Sequence, residues 1–118
     1  MTPTILVTGK DAAAREAAIA ATLDPGSPTA VILEGLPAPA SGPHLLPSPQ
    51  LRIARIAPGC PCCSGNLTMR VTLNRILRHP PDRLYIGVAS SAHLHEVRGF
   101  LESAPYDRHI RLQETISL

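Results

Sequence analysis

All three cysteines of the chain fall in one short stretch, Gly59-Cys60-Pro61-Cys62-Cys63. With none elsewhere, there is no distant thiol for a disulfide. Cys62 and Cys63 are neighbours and cannot bridge without distorting the peptide between them, and Cys60 to Cys62 would close a very small ring. The clustered thiols therefore read as metal ligands or as redox groups. Thiolates are soft donors that select zinc, copper(I) or related ions. Gly59 and Pro61 suit a tight turn that aims the sulfurs at one point.

Tetrahedral zinc takes four ligands, one more than the cluster offers. Candidates for the fourth are His93, His44, Glu34, a water molecule or a thiol of a second copy. Cys62 and Cys63, just ahead of a helix, would also gain acidity from its dipole, as a thiol redox or regulatory role requires. A plainer reading is a run of small buried residues at a strand-to-helix turn, a place that cysteine fills well.

The elements that must position this turn follow from the hydrophobic pattern. Thr4 to Thr8 is a β-branched run that ends at Gly9 and reads as a buried parallel strand. Asp11 caps an alanine-rich helix from Ala12 to Leu23, with Arg15 and Glu16 in its early turns. Asp24-Pro25-Gly26-Ser27-Pro28 stops it, and Thr29 to Leu33 forms a second buried strand. This order predicts a parallel sheet with a right-handed crossover. From Gly35 to Gln50 the prolines 37, 39, 43, 47 and 49 exclude helix and central strand, so the segment reads as a long, mobile loop.

Leu51 to Ile56 is the third strand and leads into the cysteine turn. A helix from Asn66 to His79 follows, with Met69, Leu73, Ile76 and Leu77 on its apolar stripe and Arg70, Asn74 and Arg78 on a face read as solvated. Arg83 to Ala89 is a fourth strand, and Ser90 or Ser91 caps a last helix reaching Ser103. There Leu94, Val97, Phe100 and Leu101 form the buried stripe, and His95, Arg98 and Glu102 the polar side. His93 sits in its first turn, near the carboxyl end of the fourth strand, where open α/β sheets place ligands. The tail from Arg108 to Leu118 alternates weakly and suits an edge strand. The expected fold is an α/β three-layer sandwich around a mainly parallel sheet of four to five strands, in a single domain spanning 1–118.

Composition narrows the function classes. A 118-residue chain is one domain. With 3% aromatic residues and no Trp, its core must be built from Ala, Val, Ile and Leu. A net charge of +2 argues against a dedicated nucleic-acid binder. No apolar run approaches membrane-spanning length, and the start of the chain lacks the basic flank of a signal peptide. The expectation is a cytoplasmic protein whose thiols stay reduced.

With these elements laid out, the chain resembles the N-terminal half of the CobW-type metal-chaperone GTPases, a branch of the P-loop NTPases, from Thr4 to about Ser117. The most specific feature is Gly59-Cys60-Pro61-Cys62-Cys63, which matches the family's Gly-Cys-x-Cys-Cys motif between a strand and a helix. The resemblance implies that Cys60, Cys62 and Cys63 bind a transition metal, commonly zinc. Val7-Thr8-Gly9 precedes a helix as in the family, Ala30 to Leu33 matches its second strand, and Asp82 to Ile86 stands where its Walker B strand would be.

The nucleotide machinery departs from that pattern. A P-loop reads Gly-x-x-x-x-Gly-Lys-Ser/Thr, whereas Gly9 is followed by Lys10, Asp11, Ala12, Ala13, Ala14, Arg15 and Glu16. Ala14 replaces the glycine that wraps the phosphate, and Arg15 lacks the compact charge of lysine. Glu16 puts a carboxylate where a hydroxyl should meet magnesium, and Asp11 adds a second negative charge. At the Walker B end stands Gly87-Val88-Ala89-Ser90-Ser91, with no acidic residue. A helix N-terminus still attracts an anion, but GTP and Mg2+ are argued against and no enzymatic activity is expected.

Three functions follow: a non-hydrolysing metal-binding protein in zinc homeostasis or delivery, a thiol redox or regulatory protein, and an interaction module. Open sheet edges favour pairing with a second copy, as a homodimer, or with another protein. Neither nucleic acid nor a membrane is an expected partner.

Overall fold

A computed structural model describes residues 1–9, 11–24, 26–35, 45, 47–56, 65–89, 92 and 94–118. Its strands are β1 (Thr2–Thr8), β2 (Thr29–Glu34), β3 (Leu51–Ile56), β4 (Arg83–Val88), β5 (Ile110–Leu112) and β6 (Ile116–Ser117). The helices are α1 (Ala12–Thr22), α2 (Gly65–Leu77) and α3 (Leu94–Leu101), and a short 3-10 turn covers Tyr106–Arg108. The strand order is β3-β2-β4-β1-β5, with β6 also on β1, and all named pairs are parallel.

The expected α/β sandwich is the fold. β5 pairs with Thr2 to Thr4 and β6 with Val7 to Thr8, so the tail forms one edge in two pieces. The sheet thus has six strands in five positions. Element limits differ from expectation by a residue or two at most ends, with α1 stopping at Thr22 and α2 at Leu77.

Alternation along the strands divides the core into two layers. Val7, Val31, Leu33 and Tyr85 face α1, where Ile19 and Leu45 cover them. Leu6, Ile32, Leu84, Ile86 and Val88 face the other way, under Met69, Leu73 and Ile76 of α2 and Val97 and Leu101 of α3. The scarce aromatics contribute more than composition suggests. Tyr85 and Tyr106 are buried, and the Phe100 ring packs against Tyr106 with centroids 4.9 Å apart and planes tilted by 59°. Nor is the proline-rich stretch detached throughout, because Leu45 is buried in the α1 layer. No helix among the described residues is long and apolar enough to cross a membrane.

Candidate functional site

The carboxyl ends of β1, β2 and β4 meet the start of α1. Asp11 caps that helix as expected, its carboxylate accepting the Ala13 N–H at 2.9 Å. Arg15 and Glu16 follow one turn later and are both buried. Charged side chains are seldom buried unless partnered, and both are.

Arg15 Nη1 donates to the Gly9 carbonyl at 2.6 Å, and Nη2 to the Glu34 carbonyl at 3.2 Å. Since β4 lies between β1 and β2, the guanidinium spans the end of β4 and ties its two neighbours together. A planar fork with several donors suits that bridge, whereas a lysine ammonium would not span it. Glu34 completes the strap, its Oε1 accepting the Ala89 N–H at 3.2 Å just beyond β4. Gly35 closes the corner with φ of 103°, in the left-handed region that favours glycine. A Cβ there would also stand 3.3 Å from Arg15 Nη2.

Glu16 faces the other way along the same edge. Its Oε1 accepts from Arg55 Nη1 of β3 at 2.6 Å, and its Oε2 from the Leu45 N–H at 3.2 Å. The Glu16 side chain is 5% exposed and that of Arg55 29%. The positions that a P-loop gives to lysine and to a magnesium-binding hydroxyl are therefore engaged with the sheet itself. One sequence signal points to their burial: Arg15 and Glu16 stand four and three positions before Ile19, on the stripe that α1 turns toward the core.

Cys60, Cys62, Cys63, His93 and His44 lie outside the described residues. The two connections that contain the cysteines and His93 both leave the carboxyl edge of the sheet, one from Ile56 to Gly65 and the other from Val88 to Leu94. Glu34, another candidate fourth ligand, already accepts the Ala89 N–H. His95 is exposed, as its place on α3 predicts. Among the described residues no group of three or more His, Cys, Asp or Glu side chains is placed to hold a metal ion.

Two further features escaped the sequence. The Thr8 hydroxyl is buried at the carboxyl end of β1 with no hydrogen-bond partner among the described residues. The arginine face of α2 is exposed but not purely solvated, because the Tyr106 hydroxyl bonds Asn74 Oδ1 at 2.9 Å and Arg70 lies 5.8 Å from the Phe100 ring centre. No family model matches the chain, and neither a curated protein nor a solved structure matches it.

Proposed function

We propose that this protein binds a transition-metal ion through Cys60, Cys62 and Cys63, with zinc the first candidate, and that it does not hydrolyse nucleoside triphosphates. The observation that carries the metal half is chemical: the only thiols of the chain stand within four positions, between strand β3 and helix α2. Soft thiolates gathered on one connection at the ligand-bearing edge of a parallel sheet suit zinc or copper(I). His93 is the proposed fourth ligand, from the connection that follows β4, one strand beyond β2 on the same edge of the sheet.

Support for the lost hydrolysis comes from Arg15 and Glu16. A phosphate loop needs free N–H groups, a mobile cation and a hydroxyl for magnesium. Here the cation is bonded to two backbone carbonyls and a carboxylate stands at the hydroxyl position. The CobW-type resemblance is part of this proposal. The pairing of β1 with β4 in register from Thr4↔Leu84 to Thr8↔Val88 sets the ends of those strands side by side, where a phosphate loop and a Walker B strand can share one magnesium.

Elemental analysis of reduced, anaerobically purified protein tests the reading, with Cys62→Ser alongside. The expected result is near-stoichiometric zinc or another ion that falls several-fold in the variant, because one thiolate fewer weakens a thiolate site steeply. Substoichiometric metal after reloading, unchanged by the substitution, would overturn it.

A further inference from the structure

β3 closes one side of the sheet with only β2 as a neighbour among the described residues. The register Thr29↔Leu51, with the Thr29 N–H on the Gln50 carbonyl, turns the backbone groups of Arg52, Ala54 and Ile56 toward β2. The groups of Leu51, Ile53 and Arg55 then point to the open side. Leu51 is covered there, exchanging both of its bonds with Ser48 at 3.0 and 3.1 Å. Among the described residues nothing pairs with Ile53 and Arg55, which leaves them as a template for another strand.

Beside that edge runs a groove of about 640 Å³ between β3 and α2. Its two ends differ in chemistry. Arg52 and Arg75 stand at the amino end of β3, where Arg52 Nη2 also bonds the His79 carbonyl at 2.6 Å. Leu67 and Val71 line the other end, and at 61% and 49% exposed they are two of the few large apolar side chains left in water. No acidic residue lines the groove among the described residues, and the ion pair on its rim, Arg55 with Glu16, faces the α1 side.

We infer that the groove beside β3 binds an extended, acidic segment of a partner protein by strand addition. The segment hydrogen-bonds Ile53 and Arg55, sets carboxylates against Arg52 and Arg75, and lays aliphatic side chains on Leu67 and Val71. Main-chain bonds to an open edge supply affinity and alternate side chains supply specificity. Two exposed hydrogen-bonding positions on one strand accommodate a segment of about four residues. A second copy offering the same groove would bring its own arginines against these, and like charges across a strand pair repel. This inference does not depend on the metal site.

The test is an array of hexapeptides with two acidic residues at one end and Val, Ile or Leu at the other, in both orders, beside lysine-substituted counterparts. Acidic peptides are expected to bind selectively, and the best of them to shift the amide resonances of Ile53 and Arg55. Methylating the peptide's backbone nitrogens should weaken binding about tenfold or more, as loss of main-chain pairing demands. Arg52→Glu with Arg75→Glu should weaken it by a similar factor, and adding salt should weaken it in the parent protein. The methylated peptide leaves the protein untouched, so the test survives if the double variant fails to fold. Equal binding of acidic and lysine peptides, indifference to methylation, or no binding across the array would overturn the inference. So would a concentration-dependent dimer with which peptide competes, since a second copy would then be the occupant.

Discussion

Two sets of arginines in this molecule border the same sheet and behave in opposite ways. Arg15 and Arg55 are absorbed by the fold, one bonded to the ends of β1 and β2, the other paired with Glu16. Arg52 and Arg75 line an outer groove with no carboxylate among its described lining residues, although Arg52 also bonds the His79 carbonyl. A guanidinium whose donors end on strand carbonyls is part of the scaffold. One without a countercharge is available to something else. Residue type alone does not separate these cases; partner and burial do.

Substitutions can break or sharpen the contrast. Arg55→Ala removes the charge partner of a nearly buried carboxylate, and should lower unfolding stability by about 3 kcal/mol, at the low end for a broken buried pair because Arg55 is partly exposed. Arg75→Ala should change it by no more than about 0.5 kcal/mol, as exposed substitutions do. Denaturant titrations of the two variants measure the difference directly, and equal costs would erase the distinction. Arg15→Met keeps length but abandons the Gly9 and Glu34 carbonyls. It should cost about 2 kcal/mol, the desolvation penalty of acceptors left unpaired.

Smaller effects test the edges of the same picture. Tyr106→Phe loses the bond to Asn74 and should cost about 1 kcal/mol near neutral pH. Burial pushes the Tyr106 phenol above its ordinary value, with Arg70 acting in the opposite direction. The fold therefore prefers the protonated phenol. Its contribution is complete below the unfolded value of about 10 and is lost as pH rises through the higher folded value. Thermal unfolding followed from pH 9 to 11 should fall less steeply in the phenylalanine variant. Thr8→Val is expected to be neutral or to stabilise by up to about 1 kcal/mol, because it removes a buried hydroxyl with no partner among the described residues. A clear loss of stability would mean that the hydroxyl has a partner in solution.

The frame was legible because parallel strands and amphipathic helices write their periods plainly. Thr29 to Leu33, Leu51 to Ile56 and Arg83 to Val88 are near-continuous apolar or alternating runs, and each is a strand. The stripe Met69, Leu73 and Ile76 is the buried face of α2. The burial of Arg15 and Glu16 could be read from their place on the α1 stripe, but their partners could not. Against a P-loop template the two residues read as defects, and their partners lie 6 to 39 residues away in sequence. Pairings at such distances depend on strand order, which local patterns do not carry. Leu45 escaped for a similar reason: five prolines around it marked a loop, but one leucine among them reaches the core.

The position of β1 has a consequence for how the chain comes off the ribosome. It is made before the other strands of this sheet, yet its neighbours on both sides are β4, β5 and β6. β2 and β3 can pair with each other soon after synthesis, while β1 has no strand to join until residues 83 to 88 emerge, and its second side stays open until the tail follows. A nascent chain thus carries an apolar run, Ile5-Leu6-Val7, without a strand partner until β4 is made. Interrupted synthesis leaves that strand as an adhesive end, which makes early truncations of this protein aggregation-prone.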